Sequence, residues 1–323
     1  VSTANGPTFR FRPADEVLAE LKTLGKLILF ADDNVMVHRQ YSKELFTKMK
    51  GLDKHWIGQC SLAAVKRLEN IKLMAESGCK ALFIGFESID EETVKFTGKR
   101  QNKPSQYKET MQMLHEHGIA TWGSFVFGFD TDSKDVFDRT VEFGIEMQLT
   151  MALYAILTPY PGTQLYRRLL AEGRLTDPKW WLRNDHDAGS PYYIPKRMTR
   201  EELREGWVRA WTQFYSYSSM WRRYTVRRAQ EDTPGSSWLQ MIGFWPLNFF
   251  QHQLAHRKIA GGMQRFRAGV EFADAAFSLG GAPPNLSRAP LEPTAAGFAG
   301  LSNPVAPLFT RTKDGRKALQ VVD

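Results

Sequence analysis

Carboxylates, amides and hydroxyls in this chain gather in short groups: Asp32, Asp33 and Asn34; then Gln59; then Glu87 and Ser88; then Asp130 to Ser133; then Thr158. Such groups suit two kinds of chemistry. Paired carboxylates do acid and base work on a bound substrate, and carboxylates beside neutral acceptors hold a cation and sugar hydroxyls through charge-assisted hydrogen bonds. A plainer role is open to the same residue types, since Asp, Asn and Ser favour helix caps and turns. His252 and His256 stand four apart, the spacing at which a helix presents two metal ligands, but Gln253 takes the place of the glutamate in HExxH, and coincidence is the better reading. Cys60 and Cys79 are too few for a disulfide framework and read as reduced core thiols in a cytoplasmic protein.

Each polar group follows an apolar run. The runs Leu27 to Phe30, Trp56 to Gly58, Ala81 to Phe86, Thr121 to Phe129 and Ala152 to Leu157 read as buried parallel strands. Helical stretches lie between them: Pro13 to Leu24, Ala64 to Glu76 and Gln106 to His117, the last two stopped by Gly78 and Gly118. Alternating strand and helix is the pattern of βαβ units. In a barrel of parallel strands the carboxyl ends form the active-site face, so one polar mouth collects residues from five strands. An open doubly wound sheet has the same periodicity and stays an alternative.

The 323 residues are 42% hydrophobic, enough for one sizeable domain and an appendage. No apolar run reaches the roughly 20 residues of a membrane-spanning helix; the longest candidate, Met241 to Phe250, is interrupted by Pro246. Beside Arg257, Lys258, Arg265 and Arg267 that stretch suits a membrane surface less well than a contact with a partner domain or the barrel. The formal charge of +8 is modest and lies mostly after Lys196, a solvated basic surface and no signal for nucleic acid. Helical spacing runs from Thr199 through Arg228, with Trp207, Trp211, Phe214 and Tyr215 as a packing band. After Phe277 the chain is rich in Gly, Ala and Pro and is expected to be largely disordered.

Four segments, Phe30-Ala31-Asp32-Asp33-Asn34, Gly85-Phe86-Glu87-Ser88, Gly123 to Asp130 and Leu157 to Thr163, stand in this order at strand ends. Together they resemble the radical S-adenosylmethionine (SAM) superfamily, most closely its class with an N-terminal cobalamin-binding domain, and the resemblance runs from about Phe9 to Arg228. It implies an α/β fold, a partial (β/α) TIM-like barrel, here without its first strand, followed by a helical appendage. The expected division is 1–178 for the barrel, 179–276 for the helical region and 277–323 for the tail. It also implies SAM and a 4Fe-4S cluster held by a CxxxCxxC loop, with cobalamin in members that have the extra domain. No CxxxCxxC occurs in this chain. Because the chain does not begin with Met and the downstream segments look intact, the loop is expected just ahead of Val1, and the 323 residues alone are expected to be inactive.

By that resemblance, Asp32, Asp33 and Asn34 stand where the family contacts the SAM amino group, and Glu87 and Ser88 near the ribose. Gln59 faces the same cavity. The strand from Gly123 through Phe125 to Gly128 lets its backbone approach the adenine, tight strand packing being the alternative role for Gly123 and Gly128; Thr158 and Pro159 close the adenine end, and Lys99 or Arg100 pairs with the SAM carboxylate. No catalytic residue and no metal ligand is assigned. The implied substrate is a small molecule, a lipid-like one among the options. Two other readings stay open: a TIM-barrel lyase or hydrolase using Asp32, Asp33 and Glu87 as acid and base, and a non-catalytic barrel that serves as a binding module.

Overall fold

Strand and helix alternate through the first half of the chain. The computed structural model describes residues 10–96, 104–182, 189–230, 237–260, 309–311 and 317–319. In order these form α1 (Ala14–Thr23), β1 (Leu27–Leu29), α2 (Arg39–Met49), β2 (His55–Cys60), α3 (Leu62–Val65), α4 (Leu68–Glu76), β3 (Cys79–Glu87) and α5 (Glu91–Phe96). Then come α6 (Tyr107–Glu116), β4 (Ala120–Phe127), α7 (Val136–Glu146), β5 (Met151–Ile156), α8 (Gln164–Ala171), α9 (Arg200–Phe214), α10 (Tyr217–Gln230) and α11 (Ser237–Gln253). The five strands are all parallel, in the order β1-β2-β3-β4-β5, and curl into a half-barrel with helices on the outer side. Sequence order equals spatial order, so the open doubly wound alternative, whose strand order reverses at a switch point, does not describe this sheet.

The two faces of the sheet differ. Along β4, Thr121, Gly123, Phe125 and Phe127 are buried, while Trp122, Ser124 and Val126 alternate with them and are only half-buried. Registered partners in a parallel sheet share a face. Phe83 opposite Trp122, Gly85 opposite Ser124, and Ala155 opposite Val126 therefore line one concave surface. On the other face an aromatic layer fills the space under the helices. Phe125 stacks on Phe86 at 5.3 Å and on Tyr154 at 5.8 Å, and Phe143 of α7 meets Phe86 and Phe125 edge-on.

Helix α9 is tied to β5 through polar tips on buried rings. The indoles of Trp207 and Trp211 both donate to the Tyr154 carbonyl, at 2.8 and 3.1 Å, and the Tyr215 hydroxyl bonds both the amide and the carbonyl of Ala152. The aromatic band foreseen as packing is thus core, with the polar atoms of Trp207, Trp211 and Tyr215 each finding a partner.

Two expected helices are broken. The stretch from Ala64 to Glu76 splits into α3 and α4, where Asn70 Nδ2 donates to the Ala64 carbonyl at 2.8 Å and satisfies an acceptor that the break leaves. The run from Thr199 splits into α9 and α10 at Ser216, whose hydroxyl accepts from the Ser219 amide at 3.2 Å and starts the second helix.

The chain divides into Val1–Gln264 and Arg265–Asp323. Of the second unit only β6 (Phe309–Arg311) and β7 (Lys317–Leu319) are described, and they pair antiparallel. The rest of the expected tail, from 277, lies outside the described residues.

Candidate cofactor-binding site

Five parallel strands put five carboxyl ends on one edge, and that edge carries the polar groups. After β1 the chain keeps pairing with β2: Phe30 donates to Ile57 at 2.9 Å and Val35 to the Gln59 carbonyl at 2.9 Å. The loop between them carries Asp32 and Asp33, both exposed, across the end of β2. Asn34 Oδ1 accepts from the Met36 amide at 3.1 Å, so Asn34 shapes this loop. The Gln59 side chain is half-buried on the concave side, in register with Phe83.

At the tip of β3 the register shifts between Gly85 and Glu87, and Glu87 takes φ 66, a left-handed conformation that costs a residue with a Cβ roughly 1 to 3 kcal/mol. Glu87 is half-buried near Tyr107, whose hydroxyl is held above its usual range by burial first and by the Glu87 charge second. Ser88 is buried, and its hydroxyl accepts from the Asp90 amide at 3.0 Å. Asp90 in turn accepts from the amides of Glu92 and Thr93 and starts α5. The helix-start reading holds for Ser88 and Asp90.

Along β4 and at its tip the glycines meet packing demands. A Cβ at Gly123 would come within 2.7 Å of Leu149 and 3.0 Å of Phe125, on the helix side of the sheet. Phe125 itself is fully buried in the aromatic layer, so its ring offers nothing to a cofactor. The buried positions of β4 face the helices, and Ser124 and Val126 face the concave side. Gly128 has φ 100 and a Cβ there would sit 2.2 Å from the Tyr193 hydroxyl, which donates to the Gly128 carbonyl. Its amide is taken as well, by Asp132 Oδ2 at 2.8 Å, with Phe129 donating to the same oxygen at 3.0 Å.

Asp132 and Tyr193 were not singled out in the sequence, although Asp132 stands in the polar run after β4. Asp132 is buried, and burial pushes its carboxyl up to about 6 against the opposing pull of the two amides. Thr93 links the neighbouring tips, its hydroxyl 2.6 Å from that of Thr131 and 3.4 Å from Asp132. Nothing in the local sequence marks Tyr193, which reaches β4 from 65 residues away.

Asp130, the next tip residue, binds Arg174 at 2.7 Å and Arg168 at 3.0 Å, with Lys196 at 3.5 Å. Burial would raise its carboxyl, but Arg174 and its neighbours hold it below the usual range. At β5, Thr158 donates to the Ile156 carbonyl at 3.0 Å and the Pro159 carbonyl accepts from Trp180 at 3.2 Å, so both are engaged in shaping the tip. Lys99 and Arg100 lie outside the described residues.

The implied iron–sulfur cluster does not fit this chain. A cluster that leaves one iron open needs three thiolates, and the chain has two cysteines. Both are buried; burial pushes the Cys60 thiol up to about 12 and raises Cys79 also. Among the described residues no group of three His, Cys, Asp or Glu side chains is placed to hold a metal. The rings of His252 and His256 lie 4.3 Å apart in a tilted arrangement, with His252 bonded to the Tyr215 carbonyl, far along the chain from the strand tips. A groove of about 520 Å³ between α7, α9 and α10 lies on the helical side, lined by the paired Asp138, Glu142 and Arg222 among others.

Residues 2–144 match the model of the radical SAM superfamily, across β1 to β4 and the tips just described. This segment is a radical SAM domain. Residues 163–245 match a domain of unknown function, DUF4070, so the radical SAM domain is followed by a second region with a family of its own. The chain is 31% identical over 228 residues to the bacteriochlorophyllide d C-12(1)-methyltransferase of Chlorobaculum tepidum, covering 68% of this chain and 49% of that protein. It is 25% identical over 234 residues to the anaerobic magnesium-protoporphyrin IX monomethyl ester cyclase of Cereibacter sphaeroides, covering 68% and 37%. Among solved structures, the radical SAM methyltransferase TsrM of Kitasatospora setae, with cobalamin and a 4Fe-4S cluster bound, is 18% identical, with a TM-score of 0.46 over 63% of this chain and 38% of that one. The chain spans about half the length, or less, of the curated relatives it matches.

Proposed function

We propose that this chain supplies the SAM-binding half-barrel of a radical SAM enzyme that modifies an unactivated carbon, by cobalamin-dependent methylation or a related C–H reaction. The match of residues 2–144 to the radical SAM superfamily carries the reading, and relatives named as a methyltransferase and a cyclase support the reaction class. The half-barrel and the helical region after it act in this proposal as one SAM-holding body, with the boundary near residue 178.

The work assigned to these residues is binding and orientation. Asp32 and Asp33 are exposed on one loop and hold the SAM amino group, a cation that carboxylates bind strongly. Glu87, held in its left-handed turn, accepts from the ribose hydroxyls. Gln59, Ser124 and Val126 line the concave surface under the adenosyl group. The backbones at Thr158 and Pro159 close the adenine end. The cluster thiolates, and cobalamin where it takes part, come from residues other than these 323, and no reaction step is assigned through either. The substrate is a small molecule whose apolar body suits the Phe83 and Trp122 side of the concave face.

SAM titration of the natural protein, expressed from its complete coding sequence and reconstituted with iron and sulfide without oxygen, tests the reading. Asp33→Asn and Glu87→Gln are expected to weaken SAM binding by about tenfold or more each, the size of one lost charged hydrogen bond. Unchanged affinity in both variants contradicts the assignment. Turnover of a substrate without iron or SAM points to the lyase or hydrolase reading instead.

A further inference from the structure

Helix α11 is amphipathic in the reverse of the usual sense. Its buried stripe includes Phe244, Asn248 and Gln251, and Asn248 is engaged with Arg223 at 2.9 Å and the Thr150 carbonyl at 3.0 Å. Its outward side carries Phe249 and Phe250, 51% and 62% exposed. The neighbouring α10 presents Tyr217 and Trp221, 58% and 59% exposed. These rings form one band. Tyr217 lies 4.3 Å from His252, Trp221 6.3 Å from Trp245, Tyr224 5.3 Å from Trp245, and Phe249 6.4 Å from His252. The spacing 217, 221, 224 on one helix and 245, 249, 252 on the other puts each set on one stripe.

A protein surrounded by water rarely keeps such a continuous apolar patch in the open. The charge of these two segments says what covers it. Residues 217–230 and 237–260 contain no Asp or Glu; of their basic residues Arg222 is paired with Glu142 and Arg223 is buried, which leaves Arg227, Arg228, Arg257 and Lys258 in the sequence of the two helices and the turn after them. Phe, Trp and Tyr with basic neighbours suit the boundary between headgroups and acyl chains, where ring faces meet hydrocarbon and cations meet anionic lipid. No helix among the described residues is long and apolar enough to cross a membrane. We propose that α10 and α11 seat this aromatic band on the surface of an anionic lipid bilayer, lying in its plane. The Arg223–Asn248 bond fixes the two helices to each other, so the band is presented as one rigid surface. This assignment is independent of the radical SAM reading.

The test is sedimentation of the intact chain with vesicles of phosphatidylcholine alone or mixed with phosphatidylglycerol. Binding to the mixed vesicles is expected, weakened by salt and accompanied by a blue shift of tryptophan emission. The double variant Phe249→Ser with Phe250→Ser is expected to lose about tenfold or more in binding, with its thermal unfolding midpoint unchanged because both rings are exposed. Arg257→Glu with Lys258→Glu is expected to lose the preference for phosphatidylglycerol. The proposal is overturned if no vesicle binds the protein, or if the serine variant binds as the parent does. It is equally overturned if light scattering finds a dimer that the serine variant converts to monomer, since a second copy then covers the face.

Discussion

Asp132 shows how a single residue holds the site in shape. Its carboxyl accepts two backbone amides at the end of β4 and meets Thr93 from the β3 side, so two strand tips depend on one buried group. Burial raises its pKa from 3.8 to about 6, which favours the protonated folded form. The associated stability is therefore present in full below about pH 4 and is lost as pH rises through about 6, a change of about 3 kcal/mol. Asp132→Asn removes that dependence. Denaturant unfolding of the two proteins at about pH 4 and about pH 7.5 is expected to show the wild-type advantage falling by about 3 kcal/mol over the interval; a constant difference contradicts the burial argument. The structural use of Asp132 and Tyr193 also explains why Gly128 was legible as special. The glycine is required, and the reason is a tyrosine hydroxyl donated from far along the chain.

The elements themselves were largely readable. Continuous apolar runs of strand length separated by amphipathic helices leave few arrangements, and all five strands appear within a few residues of their expected ends. Which way each strand residue points was not readable, because a strand buried on one face and half-buried on the other has apolar residues at both parities. Gly123 and Phe125 fell on the helix side for that reason, while Ser124 and Val126, on the cavity side, were passed over. Helix breaks at 66–67 and 215–216 were missed because the capping groups, Asn70 and Ser216, are also ordinary helix-surface residues. At the base of β5 the sequence gave no hint of Arg223, whose guanidinium donates to the carbonyls of Leu149, Thr150 and Phe214 and to Oδ1 of Asn248, and lies 4.0 Å over the Phe214 ring. Burial lowers its pKa to about 10, still charged at neutral pH. Arg223→Met strips the donors from these acceptors and is expected to cost about 3 kcal/mol of stability. Chemical denaturation reads the loss, and a variant within about 0.5 kcal/mol of the parent shows that the network is dispensable.

At the scale of the whole chain, a binding edge and a metal anchor are separate matters. The parallel sheet brings Asp33, Glu87, Gly128 and Thr158 to one edge, yet the chain holds only two cysteines, both buried. Anaerobic reconstitution of these 323 residues is expected to give no 4Fe-4S absorbance; a stable cluster on this chain contradicts the fit argued from Cys60 and Cys79. The central claim, that SAM lies on the concave face beneath the strand tips, has a more direct test in Val126. This side chain sits on the cavity side of β4 opposite Ala155, away from the aromatic layer, so Val126→Trp fills the cavity and leaves the core intact. SAM affinity of the reconstituted natural protein is the measurement. The variant is expected to bind SAM at least about tenfold more weakly than the parent at equal cluster content; equal affinity contradicts the placement of SAM on this face.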